Sequence, residues 1–246
     1  MVFTEYLSDG YIISIVIAIY ALYYALAYTK MYDRIYRRFG ISFNHTVFHA
    51  TFFRLAGFFF FGIIPWLLFH THEVEFDFLE IEKEQIANTL FWTIVLSAIA
   101  IAVAYINVKT SKKTIYPQFK IDRWTIGYKC LTFSTWILYL IGYEFMFRGL
   151  LLFGIIEEFG YYPTIILNVV LYAFVHVPKG IKEVLGCFIM GPILCFVALH
   201  TENIFAPIII HISLCLGNEY FSIAKQQGKL AVLTTKKWYF LISAQA

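Results

Sequence analysis

The feature that most constrains the fold of this chain is a series of seven long apolar runs. Most of them approach the ~20 residues that a helix needs to cross the hydrocarbon core of a bilayer. Within lipid such runs must be helical, because a helix satisfies its own backbone hydrogen bonds. The runs are Tyr11 to Tyr28, Thr46 to Phe69, Thr89 to Val108, Thr125 to Ile156, Pro163 to Val177, Ile181 to Leu199 and Ile204 to Ile223.

The composition supports the same class of protein. Hydrophobic residues make up 60% of the 246 residues and charged residues only 14%, whereas soluble domains carry about 25% charge. The sequence therefore predicts an all-α polytopic membrane protein, with seven to eight transmembrane helices in one bundle that forms a single domain over residues 1–246. The net charge of +3 is small and lies in loops, so nucleic acid is not an expected partner.

The positions of Lys and Arg predict the orientation of the helices. The loop after the first run contains Lys30, Arg34, Arg37 and Arg38, and the loop after the third run is also basic, whereas the segment from Glu73 to Glu84 is acidic. Cytoplasmic loops carry the excess of Lys and Arg. We therefore expect seven crossings, with the N-terminus outside and the C-terminus in the cytoplasm.

Two segments need a separate interpretation. The run from Thr125 to Ile156 would be about 48 Å long as a straight helix, which exceeds the ~30 Å core, so we expect it to project into the cytoplasm or to break near Gly142. The tail from Leu230 to Ala244 contains Lys236 and Lys237. It is predicted to be an interfacial helix.

Ionisable residues inside the apolar runs are the candidate functional residues. Each costs about 2.5–3.5 kcal/mol at the centre of a membrane helix, and they are Arg54, Glu144, Arg148, His176 and His211. Glu144 and Arg148 lie four residues apart, so they share one helix face as an ion pair. A carboxylate and two imidazoles that converge in a dry cavity have the chemistry that water activation requires.

Each of these residues also has a structural interpretation. The Glu144–Arg148 pair could be a buried salt bridge, His176 an interfacial histidine, and His211 a partner in helix packing. Arg54 is close enough to the end of its run to extend its charge to the cytoplasmic surface. Counting along the helices places Glu144 and His176 at one level, about 18–20 Å below the outer boundary, with His211 about 10 Å below it.

Three short motifs within these runs resemble those of a known family. They are YEFMFRG at 143–149, YAFVH at 172–176 and HISLC at 211–215. In this order and on successive membrane helices, they resemble the CAAX-protease and bacteriocin-processing family of intramembrane proteases, also called CPBP or Abi. The resemblance covers residues 125–222, which would form the catalytic core after three N-terminal transmembrane helices in residues 1–108.

The resemblance implies an intramembrane endopeptidase with Glu144, His176 and His211 as catalytic residues. In such a site Glu144 with His176 would activate water, His211 would donate to the oxyanion, and Arg148 would orient Glu144. Two positions depart from the family's pattern. Tyr143 replaces the first of two glutamates, and a phenol is a poor base at neutral pH. Cys215 replaces an asparagine. Asn218 lies two turns after His211 and could take the role of that asparagine.

Two functions remain open on the sequence. The first is a peptidase that cleaves a peptide or lipidated peptide near the bilayer; the second is a catalytically impaired relative that acts as a membrane binding, scaffolding or bacteriocin-immunity protein. Location in a bacterial plasma membrane is expected in either case. No cofactor is predicted, although older descriptions of the family as metalloproteases leave a divalent metal open. The four cysteines have no zinc-ligand spacing.

Overall fold

The computed structural model describes residues 9–40, 44–70, 76–111, 115–177 and 180–228. The tail from Leu230 to Ala244, predicted to be an interfacial helix, lies outside these residues. Eight helices account for most of the described chain. They are α1 (Asp9–Tyr28), α2 (Met31–Arg38), α3 (His45–His70), α4 (Lys83–Thr110), α5 (Ile126–Phe159), α6 (Tyr161–His176), α7 (Ile181–Thr201) and α8 (Phe205–Gln226).

The predicted all-α membrane fold is confirmed, and each of the seven apolar runs forms a helix. Five of the helices, α3, α4, α5, α7 and α8, are long and apolar enough to cross a bilayer on their own. The first two helices meet the same criteria only together, with a bend of 47° between them, and α6 has 16 residues. The number of crossings and their orientation stay predictions.

The central helix of the bundle is α5. Of its most apolar stretch, 89% is buried inside the protein, whereas the other spanning helices leave much of their apolar surface for lipid. The helix continues through Gly142, so the alternative of a break there is wrong. A Cβ atom at Gly142 would lie 3.1 Å from the backbone nitrogen of Gly62 on α3. The glycine therefore permits a close helix crossing.

The middle of α5 departs from α-helical geometry. Residues Phe145–Phe153 form a π-helix that begins directly after Glu144, and all nine of its residues are buried. Such segments are rare and are found frequently at functional sites. The extra residue per turn changes which side chains face each neighbouring helix.

The turn between α7 and α8 lies inside the protein. Asn203 is completely buried, and its Oδ1 accepts a hydrogen bond from the backbone nitrogen of Phe205, the first residue of α8, at 3.1 Å. Its Nδ2 donates to Thr89 Oγ1 on α4 at 2.9 Å. The backbone nitrogen of Ile204 also donates to the carbonyl of Phe78. The first residues of α8 are thus held below the protein surface.

Candidate active site

Three helices bring together five of the residues that the sequence singles out. Tyr143, Glu144 and Arg148 come from α5, His176 is the last residue of α6, and His211 lies in the second turn of α8. Each of the five is at most 8% exposed. The site is therefore enclosed by helices within the membrane part of the protein.

Glu144 is the centre of the polar contacts. Its Oε1 lies 2.5 Å from Nδ1 of His211 and 3.2 Å from Nη1 of Arg148. The side chains of Glu144 and Arg148 are completely buried, and that of His211 is 5% exposed. A carboxylate only accepts hydrogen bonds, which assigns the proton of the His211 ring to Nδ1. The other ring nitrogen, Nε2, is an acceptor when the ring is neutral and a donor when it is doubly protonated.

His176 is held by its own helix rather than by Glu144. Its Nδ1 lies 3.1 Å from the carbonyl oxygen of Tyr172, one turn earlier. A carbonyl also only accepts, so Nδ1 carries the proton here as well. The ring of Tyr172 lies between the two histidines, with its centroid 4.8 Å from the ring of His176 and 6.0 Å from that of His211. The guanidinium of Arg148 lies 4.7 Å over the same ring.

Tyr143 also packs between the two histidines. Its ring centroid is 6.4 Å from that of His176 and 5.8 Å from that of His211, with each imidazole nearly perpendicular to it. The residue that replaces the first glutamate of the family motif therefore belongs to the site. It supplies a phenol in place of a second carboxylate.

Several polar atoms of this cluster are buried without a hydrogen-bond partner among the described residues. They are the hydroxyl oxygen of Tyr143, Oε2 of Glu144, and Nε and Nη2 of Arg148. Buried polar groups in folded proteins are nearly always paired, so four unpaired atoms on three neighbouring residues are an unusual concentration. Such atoms can bind water or the polar groups of a substrate.

Cys215 and Asn218 occupy different environments. Cys215 lies one turn after His211, and its thiol interacts with the His211 ring and with the phenol of Tyr116. The carboxamide of Asn218 is engaged on the α4 side, where its Oδ1 accepts from Asn107 at 2.9 Å and its Nδ2 donates to the carbonyl of Leu214. The structure thus brings Cys215 to the site and turns Asn218 towards α4.

His211 lies level with Glu144, which it contacts directly, whereas the count along the two helices predicts different depths. The reason is the buried turn before α8. Asn203 and Ile204 are 0% and 1% exposed, so the helix begins inside the protein instead of at the outer boundary. Seven residues further, His211 reaches the level of Glu144.

Asn168 is a residue of the site region that the motifs do not reveal. It is completely buried on α6, and its Nδ2 donates at 2.5 Å to the carbonyl of Phe147 in the π-helix. Its Oδ1 accepts from the thiol of Cys195. A lone asparagine inside an apolar run is the available sequence signal. Its contacts place it as a support for the backbone between Glu144 and Arg148.

A second buried charge pair lies near the start of α5. Arg54 is 3% exposed and donates to Thr132, Thr135 and Gln118, so the expectation that it extends to the surface is wrong. Its Nη2 lies 3.9 Å from Oε1 of Glu219, which is completely buried on α8. The hydroxyl of Thr132 donates to the same carboxylate oxygen at 2.8 Å. Glu219 was not among the residues that the sequence singled out.

The described part of the chain contains no group of three or more His, Cys, Asp or Glu side chains placed to hold a metal ion. In the cluster around Glu144, the Nδ1 atoms of both histidines are already bonded to protein acceptors. The predicted absence of a cofactor stays a prediction.

The fold is that of a polytopic membrane protein, and its buried core contains a glutamate–histidine pair. Residues 125–216 match the family model described as type II CAAX prenyl endopeptidase Rce1-like. The resemblance to CAAX proteases is therefore confirmed over this part of the chain. No curated protein and no solved structure matches the chain.

Proposed function

We propose that this protein is an intramembrane endopeptidase that hydrolyses a peptide bond of a substrate at the bilayer. The observation that carries the proposal is the 2.5 Å contact between Glu144 and His211, which lies buried within the part of the chain that matches the Rce1-like family model. A carboxylate that holds one nitrogen of an imidazole leaves the other nitrogen to act as a base. The proposed substrates are peptides or lipidated peptides.

In the proposed reaction His211 is the base that activates water. Nε2 takes a proton from the water as its oxygen attacks the carbonyl carbon, and returns that proton to the leaving amine, so that one water is consumed per bond cleaved. Glu144 stabilises the imidazolium that forms in between. Arg148 is a positioning residue, because it holds the same Oε1 that bonds to His211.

This division of roles differs from the one that the family resemblance implies. The resemblance assigns water activation to Glu144 with His176 and oxyanion stabilisation to His211. The contacts of Glu144 go to His211 and Arg148, and these favour His211 as the base. The phenol of Tyr143 and, when its ring is doubly protonated, Nε2 of His176 then become the groups that donate to the oxyanion.

A peptidase assay with histidine variants tests the proposal. Purified protein in lipid nanodiscs is given a library of quenched fluorogenic peptides with apolar anchors. His211→Ala and His176→Ala should each lower kcat/KM by about 10²–10⁴-fold, the usual contribution of a general acid or base. His200→Ala, which alters an exposed histidine on α7, is the control and should keep wild-type activity. Equal cleavage by all four proteins would contradict the proposal.

Tyr143→Phe removes a hydroxyl and leaves the ring that packs between the histidines. If the phenol donates to the oxyanion, kcat should fall by about 10²-fold with little change in KM, as for the loss of one oxyanion donor. Steady-state kinetics on a cleaved peptide give both constants. Wild-type kcat in this variant would show that Tyr143 serves only packing.

The second candidate function is a catalytically silent membrane binding, scaffolding or bacteriocin-immunity protein. Two observations favour it: a phenol takes the place of the first glutamate, and Glu144 has no exposed surface. It predicts that the wild-type protein cleaves no peptide and that the histidine variants keep its binding activity. The assay above therefore separates the two functions.

A further inference from the structure

A cavity of about 440 Å³ lies beside the candidate active site. Its walls are mainly aromatic, with contributions from the N-terminal helices and from α5. The aromatic lining residues are Tyr23, Tyr24, Tyr32, Phe53, Trp136 and Tyr139. Helices α1 to α3 lie outside the matched residues 125–216. The cavity volume falls within the roughly 300–1,000 Å³ range of ligand pockets.

The inner end of the cavity adjoins the catalytic cluster. Val175 forms part of the wall, and the next residue along the chain is His176. The hydroxyl of Tyr24 donates to the carbonyl of Val175 at 2.7 Å, which ties α1 to the end of α6. The ring of Tyr139 lies 5.7 Å from that of Tyr143. A group bound in the cavity would therefore sit next to the histidines and the phenol.

The charge of the cavity wall is compensated. Arg54 lines the cavity, but its guanidinium donates to Thr132 and Gln118 and lies 3.9 Å from the carboxylate of Glu219. It also lies 4.2 Å over the ring of Trp136. A charged group entering this space would lose its hydration without gaining an unpaired counter-ion, which is costly. Aromatic walls favour aliphatic and aromatic groups instead.

The carboxamide of Gln118 is a polar group of the wall that can orient a ligand. Arg54 donates to Oε1 of Gln118 at 2.9 Å, which leaves the NH₂ of this carboxamide as a donor. The group fits a carbonyl oxygen, and a peptide backbone presents one at every residue.

We propose that this cavity binds the part of a peptide substrate beside the scissile bond. An uncharged aliphatic or aromatic side chain fills the aromatic space, and a backbone carbonyl accepts from Gln118. The inference rests on the proposed peptidase function and adds the chemical class of the substrate at this position. It also assigns the specificity of the enzyme to α1 to α3.

The test combines crosslinking with kinetics on the full-length protein in nanodiscs. The probes are apolar anchored peptides with one varied position, which carries Leu, Phe, Lys, Asp or a photoreactive benzophenone. The benzophenone peptide should crosslink to residues of α1 to α3 around the cavity. Wild-type protein should cleave the Leu and Phe peptides at least about tenfold faster than the Lys and Asp peptides.

Substitutions at the cavity mouth should change both readouts. His49 is exposed, lines the cavity, and contacts the rings of Tyr32 and Phe53 at 4.6 and 4.8 Å. His49→Trp should narrow the mouth, raise KM and lower crosslinking by about tenfold. Leu55→Trp adds the same side chain at an exposed position of the same helix and should change neither readout. Phe53→Ala should shift the preference towards larger apolar side chains.

The outcomes distinguish this inference from the proposed function. Two results would overturn the cavity assignment while peptide cleavage stands. The first is crosslinking outside the cavity. The second is crosslinking and a side-chain preference that His49→Trp and Phe53→Ala leave unchanged. Displacement of the peptide by bilayer lipid alone would also overturn it. Crosslinking within the cavity without cleavage of any peptide would remove the peptidase function and keep the binding site.

Discussion

Replacing Glu144 by glutamine should lower peptide cleavage by about 10³–10⁴-fold. In comparable carboxylate–histidine pairs an amide leaves the geometry intact but holds the imidazole in the wrong tautomer. Here the NH₂ of glutamine could donate to Nδ1 of His211, so that the proton would move to Nε2 and the base would be lost. Initial rates on a cleaved fluorogenic peptide measure the effect. Full activity of Glu144→Gln would show that this pair is not the proton acceptor.

The main risk in this experiment is a loss of folding instead of a loss of chemistry. Glu144→Gln leaves the completely buried guanidinium of Arg148 without its counter-ion, and uncompensated buried charges are strongly destabilising. The double variant Glu144→Gln with Arg148→Met removes both charges. It should fold with wild-type helix content and stay inactive. Glu158→Gln, at an exposed position of the same helix, should behave as wild type in both assays.

Replacing Glu219 by alanine should destabilise the protein by about 3–5 kcal/mol, the usual cost of breaking a buried ion pair from one side. Arg54 would lose its carboxylate at 3.9 Å. The hydroxyl of Thr132, which donates to Glu219 and accepts from Arg54, would lose its acceptor. Reversible unfolding in mixed micelles, followed by circular dichroism, gives the free energy of unfolding.

A compensating variant separates the charge effect from the loss of packing. Arg54→Met with Glu219→Gln removes both charges and should recover most of the lost stability, because the two desolvation costs disappear together. Glu84→Gln, in the exposed first turn of α4, is the matched control. Wild-type stability of Glu219→Ala would contradict the interpretation that this pair holds α8 against α3 and α5.

The helices were largely predictable because lipid leaves few alternatives. The run from Thr125 to Ile156 corresponds to the helix Ile126–Phe159, and the run from Ile204 to Ile223 to Phe205–Gln226. Apolar length and backbone hydrogen bonding determine both. The π-helix is different, because its sequence is as apolar as the α-helix around it. Packing between neighbouring helices determines it instead.

The candidate residues were predictable from their cost and the Glu144–Arg148 pair from its spacing, but the partners that are distant in sequence were not. Glu144 and His211 stand out as polar residues in apolar runs. Their contact depends on the burial of the turn between α7 and α8, which the sequence does not indicate. The burial of Arg54 was also not predictable from the sequence. Its position near a helix end suggests exposure, yet Glu219 and Thr132, which are distant in sequence, supply buried partners.

Phe78 packs against α5 close to the candidate site. Its completely buried side chain stacks on Phe153 at 5.8 Å, and it packs so closely on α5 that a Cβ atom at Gly149 would lie 2.6 Å from the ring. A peptide that approached Glu144 along α5 from this end would have to displace that ring. The aromatic cavity beneath α1 to α3 opens beside the site without this obstruction. Under the proposed peptidase function, a substrate would therefore reach Glu144 through this cavity and not along α5 past Phe78.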